Sequence, residues 1–226
     1  MKQIKIFISL LAFCLFIFAI TAKDLPYVAP TETNTTLSPP GPADPKAKAV
    51  IDSIYERYDE FKSLKVDMVY STGYQNNFES DTIQGFMEGD KYRLEMPHQE
   101  VVHDGKKVWF YNKVSKKVFH RPNNPEEFNF MYPTKVLRSW ESTFNYSIAG
   151  EWNRGEHTYV RMLFVPKTDE LSTPDSRQIN LFIDKSNFQI LKITFSKPDG
   201  YIHVLDYHDM KPNIKFEPTV FEFDFS

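Results

Sequence analysis

From Leu64 onward the large apolar side chains of this sequence return at every second residue, in run after run. That period puts successive side chains on opposite faces of an extended strand, which no helix can do. Val66, Met68 and Tyr70 alternate with Asp67 and Ser71, and Tyr92, Leu94 and Met96 alternate with Arg93 and Glu95. Ile83 to Met87 resumes the pattern after a polar turn at Asn76-Asn77. Asp104-Gly105 separates Val101-Val102 from Val108-Trp109-Phe110-Tyr111. Asp-Gly between two apolar runs signals a hairpin, because glycine accepts a positive φ at little cost. Later runs cover 114–121, 144–152, 157–165, 177–184, 188–196 and 201–207, with a last short one at 220–225. Asp184-Lys185-Ser186-Asn187 and Pro198-Asp199-Gly200 supply turns between the late runs. The count is about ten strands, uninterrupted by regular crossover helices. An α+β fold is expected, an antiparallel meander with its helices packed to one side.

Two segments carry helical spacing instead. Ala47, Val50, Ile51, Ile54, Tyr55, Tyr58 and Phe61 make a single apolar stripe. Asp44 suits its N-cap and Pro45 its first turn. Within 125–143, Phe128, Met131, Tyr132, Val136, Leu137 and Trp140 fit a helix better than a strand. Pro133 must break or begin that helix, so a start near Pro133 is predicted.

The first residues predict export. Lys2 and Lys5 precede an almost unbroken apolar run, Ile6 to Ile20, and Thr21-Ala22 offers a small residue for cleavage, which defines a signal peptide over 1–22. A retained anchor is the alternative, but the run is shorter than the roughly 20 residues of a spanning helix. Cys14, the only cysteine, lies inside the run behind Phe13, where a lipoprotein signal would place a small residue. The mature chain is therefore expected to lack disulfides and thiolate chemistry. Residues 23–43 are rich in Thr and Pro and poor in large apolar groups, the composition of a flexible linker. The domain is expected over 44–226.

Chemistry is sparse. A formal net charge of −3 without clustered Lys or Arg argues against nucleic acid. His98, His103, His120, His157, His203 and His208 contain no helical His pair with an intervening Glu, so no metal is expected. No serine sits in a Gly-x-Ser-x-Gly elbow and no glycine-rich run could cradle phosphate. Glu126-Glu127 and Glu222/Asp224 read as solvated faces, and Asn34-Thr35-Thr36 and Asn145-Tyr146-Ser147 match a glycosylation pattern that is common by chance. Neither a catalytic residue nor a cofactor is expected. What stands out is apolar surface on both faces of several strands, as in Met162-Leu163-Phe164-Val165 and Leu181-Phe182-Ile183, in a chain with 20 Phe and 12 Tyr. A sheet with one wet face would alternate more cleanly. Either the core is thick, or an apolar ligand is covered.

Taken in order, these blocks resemble the LolA-like outer-membrane lipoprotein carriers, with closer kinship to the Bacteroidetes-type versions. The resemblance rests on Asp44-Pro45-Lys46-Ala47-Lys48-Ala49, then Tyr58 to Lys65, then Gly85-Phe86 before Lys91-Tyr92-Arg93-Leu94. Its main block is Asp104-Gly105-Lys106-Lys107-Val108-Trp109-Phe110-Tyr111-Asn112. Leu163 to Lys167, Ile183-Asp184, Pro198-Asp199-Gly200 and Phe221-Glu222-Phe223 follow in the family's order. It implies an open antiparallel half-barrel of about eleven strands with helices covering the concave face. It also implies a monomeric periplasmic chaperone for acylated lipoproteins, loaded by an inner-membrane ABC-type release complex and unloaded at an outer-membrane acceptor. The arginine that proteobacterial carriers place before a proline has no counterpart here; Glu88-Gly89-Asp90 stands nearest, and its lid-controlling role does not pass to Arg93. On the alternation argument Tyr92, Leu94 and Met96 would line an acyl-chain cavity. Val66, Met68, Tyr70, Trp109 and Tyr111 would be neighbours, and Leu137, Trp140, Ile51 and Ile54 would close it from the helix side. Which face of 108–111 points inward is left open. A general lipid-binding envelope protein of the same fold, or an envelope hydrolase using acidic residues, are the other readings.

Overall fold

A computed structural model describes residues 44–75, 77–122, 133–167, 178–197 and 199–224. The predicted signal peptide and linker, the Asn34 pattern, Phe128, Met131, Tyr132, Glu126-Glu127, Pro198 and Phe225 lie outside these residues.

The predicted first helix is α1, Pro45–Asp59, capped by Asp44, whose Oδ1 accepts from the Lys46 amide at 3.0 Å. Its stripe from Ala47 to Tyr58 is buried, as the spacing predicts. Six strands follow: β1 (Ser63–Tyr74), β2 (Asn77–Glu88), β3 (Lys91–Glu95), β4 (Gln99–His103), β5 (Lys107–Asn112) and β6 (Lys117–Pro122). The second helix, α2 (Pro133–Thr143), does begin at Pro133. Five more strands complete the order: β7 (Phe144–Arg154), β8 (His157–Pro166), β9 (Gln178–Asp184), β10 (Gln189–Ser196) and β11 (Tyr201–Pro212). The predicted Asp-Gly turn forms between β4 and β5. Gly105 sits at φ +97°, and the Asp104 Oδ1 accepts from the amides of Lys106 and Lys107 at 2.8 and 2.9 Å.

All eleven strands belong to one antiparallel sheet in the order β6-β5-β4-β3-β2-β1-β11-β10-β9-β8-β7. Two meanders are thus joined where β1 pairs with β11 from Leu64↔Pro212 to Tyr74↔Tyr201. The end strands β6 and β7 are not paired with each other, so the sheet is an open half-barrel. Register assigns the faces. Val66, Gly85, Leu94, Val101 and Phe110 fall on one line across β1 to β5. Leu205, Ile193, Leu181 and Met162 continue the same face across β11 to β8. Both helices rest on this concave face, where Tyr58 accepts from the Ile190 amide at 3.0 Å and Trp140 meets Phe164 and Phe195 edge-on.

The strand expected over 220–225 is not formed among the described residues, which run to Asp224. β11 already has a neighbour on each side, so nothing after Pro212 can join the sheet beside it. Asn213 turns the chain out in the left-handed region, φ +57°, a conformation its short polar side chain tolerates. Pro218–Phe221 then form a 3-10 turn, and the segment straps the convex face. Phe216 packs edge-on to Phe86, Phe221 edge-on to Phe216, and Phe223 stacks on Trp109 at 5.7 Å. Arg93 Nη1 donates to the Val220 carbonyl at 3.1 Å and Nη2 pairs with Glu100, so Arg93 anchors the strap, away from the helices.

Candidate functional site

The concave face is paved with apolar side chains because register brings the inward half of every strand's alternation to one side. Val66, Met68 and Tyr70 of β1 are buried there with Tyr92 and Leu94 of β3, and half-buried Met96 packs at the edge of the same core. Ile51 and Ile54 of α1 face it and are fully buried. Leu137 and Trp140 of α2 are buried against β8 and β10. Trp109 and Tyr111 do not join them, which corrects their expected placement. They stand on the convex face, where Phe223 of the strap covers both and His120 lies 4.6 Å from the Trp109 ring. Val108 and Phe110 point inward in their stead. Both halves of this strand read as apolar because both faces are covered, one by the core and one by the strap.

Beneath α2 a void of about 10 Å³ remains, room for one water and no more. Val136, Leu137 and Trp140 roof it. Leu181, Ile190 and Ile193 floor it together with Phe195 and Leu205. As it stands this void is too small for an acyl chain. The side chains of α2 fill the space above the sheet there.

Polar ties hold the two helices to each other at the rim. Glu141 of α2 accepts from the Tyr55 hydroxyl of α1 at 2.5 Å and from the Tyr146 hydroxyl of β7 at 3.0 Å. Arg138 lies over the Tyr55 ring, 4.1 Å from its centroid, and pairs with Asp59 at 2.7 Å. Lys48, tied to Asp52, stands 3.8 Å from Glu141. Burial, with the Glu141 carboxylate beside it, pushes the Tyr146 hydroxyl up to about 12, so it stays a proton donor. Sequence reasoning missed this latch, since Tyr55 appears there only as a member of an apolar stripe and no local pattern singles out Glu141.

Deeper on the same face, the Tyr70 hydroxyl and His203 Nδ1 are 2.5 Å apart. His203 is only 7% exposed. Burial, with the Lys197 charge added, lowers its pKa to about 4, so it is neutral near pH 7. His103 is the other buried histidine. It donates from Nδ1 to the Asp90 carbonyl at 2.5 Å and stacks on Tyr92. Among the described residues no three His, Cys, Asp or Glu side chains gather as a metal site. The described helices include none long and apolar enough to cross a membrane.

The chain is thus an open eleven-stranded antiparallel half-barrel with two helices on its concave face. No protein-family model matches the chain, and no curated protein does. Among solved structures it is similar to an uncharacterized conserved protein from Thermus thermophilus, with TM-score 0.53 and 11% identity over 80% of this chain and 95% of that one. It also matches a LolA superfamily protein from Nitrosomonas europaea, TM-score 0.39, 12% identical over 80% of this chain and 99% of that one. A third is the Mycobacterium tuberculosis lipoprotein LppX, TM-score 0.46, 9% identical over 77% of this chain and 100% of that one. Likeness at such identities is a likeness of fold.

Proposed function

We propose that this protein is a periplasmic carrier that shelters the acyl chains of lipoproteins between its concave sheet and its two helices. In this reading it receives its cargo from an inner-membrane ABC-type release complex and delivers it to an outer-membrane acceptor. The supporting observation is the helical lid, which rests on an apolar face through side chains while its polar ties lie at the rim. Displacing α2 would expose Val136, Leu137 and Trp140, a cost of roughly 6 kcal/mol at about 2 kcal/mol per side chain. The Arg138–Asp59 pair, half exposed on both sides, adds at most about 1 kcal/mol. A sixteen-carbon acyl chain contributes about 12 kcal/mol on burial at ~0.8 kcal/mol per CH₂. The chain's burial therefore outweighs the lid's, so cargo opens the lid, while an empty protein keeps it shut.

The test is native mass spectrometry of the purified protein with a diacylglyceryl-cysteine peptide and its deacylated form. One acylated peptide per protein is expected, none of the deacylated form, and loss of the complex in Leu94→Glu. Equal binding of both peptides, or of neither, overturns the reading.

A further inference from the structure

Two imidazole nitrogens on the concave face are buried without a partner, Nε2 of His203 and Nε2 of His103. Such orphans are rare and costly, so each calls for an explanation. Their proton states differ. His103 donates from Nδ1 to a carbonyl, which can only accept, so its Nε2 is a bare acceptor. At His203 the logic reverses. The geometry gives the buried Tyr70 hydroxyl one hydrogen-bond partner among the described residues, His203 Nδ1, so its proton is satisfied only when donated to that nitrogen. A neutral ring that accepts at Nδ1 carries its hydrogen on Nε2.

His203 thus holds an unused N–H donor in an apolar wall, and its position is particular. In register it lies across from Phe195 and two residues before Leu205, both of which line the void beneath α2. The 197–201 turn follows Phe195 on that side, and its Lys197 and Asp199 are both near enough to act on the ring. The apolar floor therefore ends in a single donor with a pair of opposite charges, Lys197 and Asp199, beyond it.

Resting on the carrier reading above, we infer that His203 receives the carbonyl oxygen at the head of a bound acyl chain. The chain then has a fixed direction, its tail under α2 and its head toward the 197–201 turn. An ester of a lipidated cysteine and the carboxylate of a free fatty acid both present that oxygen. His103, an acceptor, cannot take this part.

The test compares affinities of the full chain and His203→Phe for three probes: palmitic acid, a diacylglyceryl-cysteine peptide and hexadecane. The variant keeps a ring and removes the donor. Loss of about tenfold for a carbonyl-bearing probe with hexadecane unchanged is the expected result. Loss for the peptide alone selects the ester, and loss for palmitate alone the carboxylate. No loss, or equal loss for hexadecane, overturns the inference while leaving the carrier reading intact; failure of the unaltered protein to bind any probe removes the carrier reading itself. Imidazole ¹⁵N spectra of the unaltered protein give an answer independent of the variant's folding. They are expected to show the Nε2–H tautomer and a shift with palmitate but not hexadecane, and an Nδ1–H tautomer overturns the assignment.

Discussion

His203 keeps its place beside Tyr70 only as a neutral ring. Its folded pKa of about 4 lies below that of an exposed histidine, so the unfolded chain takes up a proton that the folded one refuses. The stability this neutrality supports is complete above about pH 6.5 and drains away as pH falls toward 4. Tyr70, Lys197 and Asp199 are the charged or titratable groups acting there. Allowing for partial solvent screening, the loss is about 2 kcal/mol between those pH values. Urea midpoints at pH 7 and pH 4.5 check it, and His203→Phe should flatten the difference. At Asp184, burial alone would raise the carboxyl, but donors from Ser186 and His157 outweigh it and hold the group low, so its contribution is lost only at still lower pH. Leu137 makes a second point at this scale. Fully buried in the roof of the void, it should cost about 3 kcal/mol when cut to alanine, because the small void grows and α2 cannot collapse into it. Chemical denaturation measures that cost. The same variant should bind a small aromatic probe that the unaltered protein refuses.

Between elements, α2 is fastened to α1 and β7 through the Glu141 carboxylate, while Lys167 holds its last carbonyls. Replacing both Tyr55 and Tyr146 with phenylalanine removes its two hydroxyl donors while keeping the rings. Amide exchange across 136–141 should then quicken by about tenfold, with the rest of the sheet unchanged. Unaltered exchange would mean that the apolar face alone holds the helix. On the opposite side Phe221, 2% exposed, anchors the strap. Phe221→Ala should lower the unfolding free energy by about 3 to 4 kcal/mol, read from urea titration, and expose Trp109 to a fluorescence quencher. These elements also separate what the sequence makes legible from what it hides. Helix α1, the Pro133 start and the Asp-Gly hairpin depend on neighbours within a few residues, and each is readable from spacing and turn chemistry. The latch joins residues 86 positions apart, Tyr55 and Glu141, and no local pattern marks it. The strap defeats pattern for another reason. Phe221 and Phe223 alternate like a strand, but whether they pair depends on a vacancy beside β11, which β1 and β10 deny. With the strap unread, Trp109 and Tyr111 have no reason to face outward. The ordered family blocks, by contrast, lead to the eleven-stranded count where spacing alone stops near ten.

At the scale of the whole molecule, the two meanders form a shell that is open between β6 and β7 and roofed by separate helices. In the carrier reading proposed above, cargo would enter by moving the roof while the sheet keeps its ladder. Added acylated peptide should therefore raise the melting temperature progressively, worth about 2.7 kcal/mol at a hundred times the dissociation constant. The β1–β11 seam joins strands at opposite ends of the domain, and it has a bearing on how such a molecule is made. While a nascent chain is being synthesised or threaded through a pore, β1 has β2 on one flank and bare backbone on the other. That bare flank stays unsatisfied until more than a hundred further residues have emerged. Each meander can zip up early by local hairpins, but their union waits for β11, a late step governed by distant pairing. Through that interval a greasy, half-built edge is on display, and a holding chaperone would find its client there.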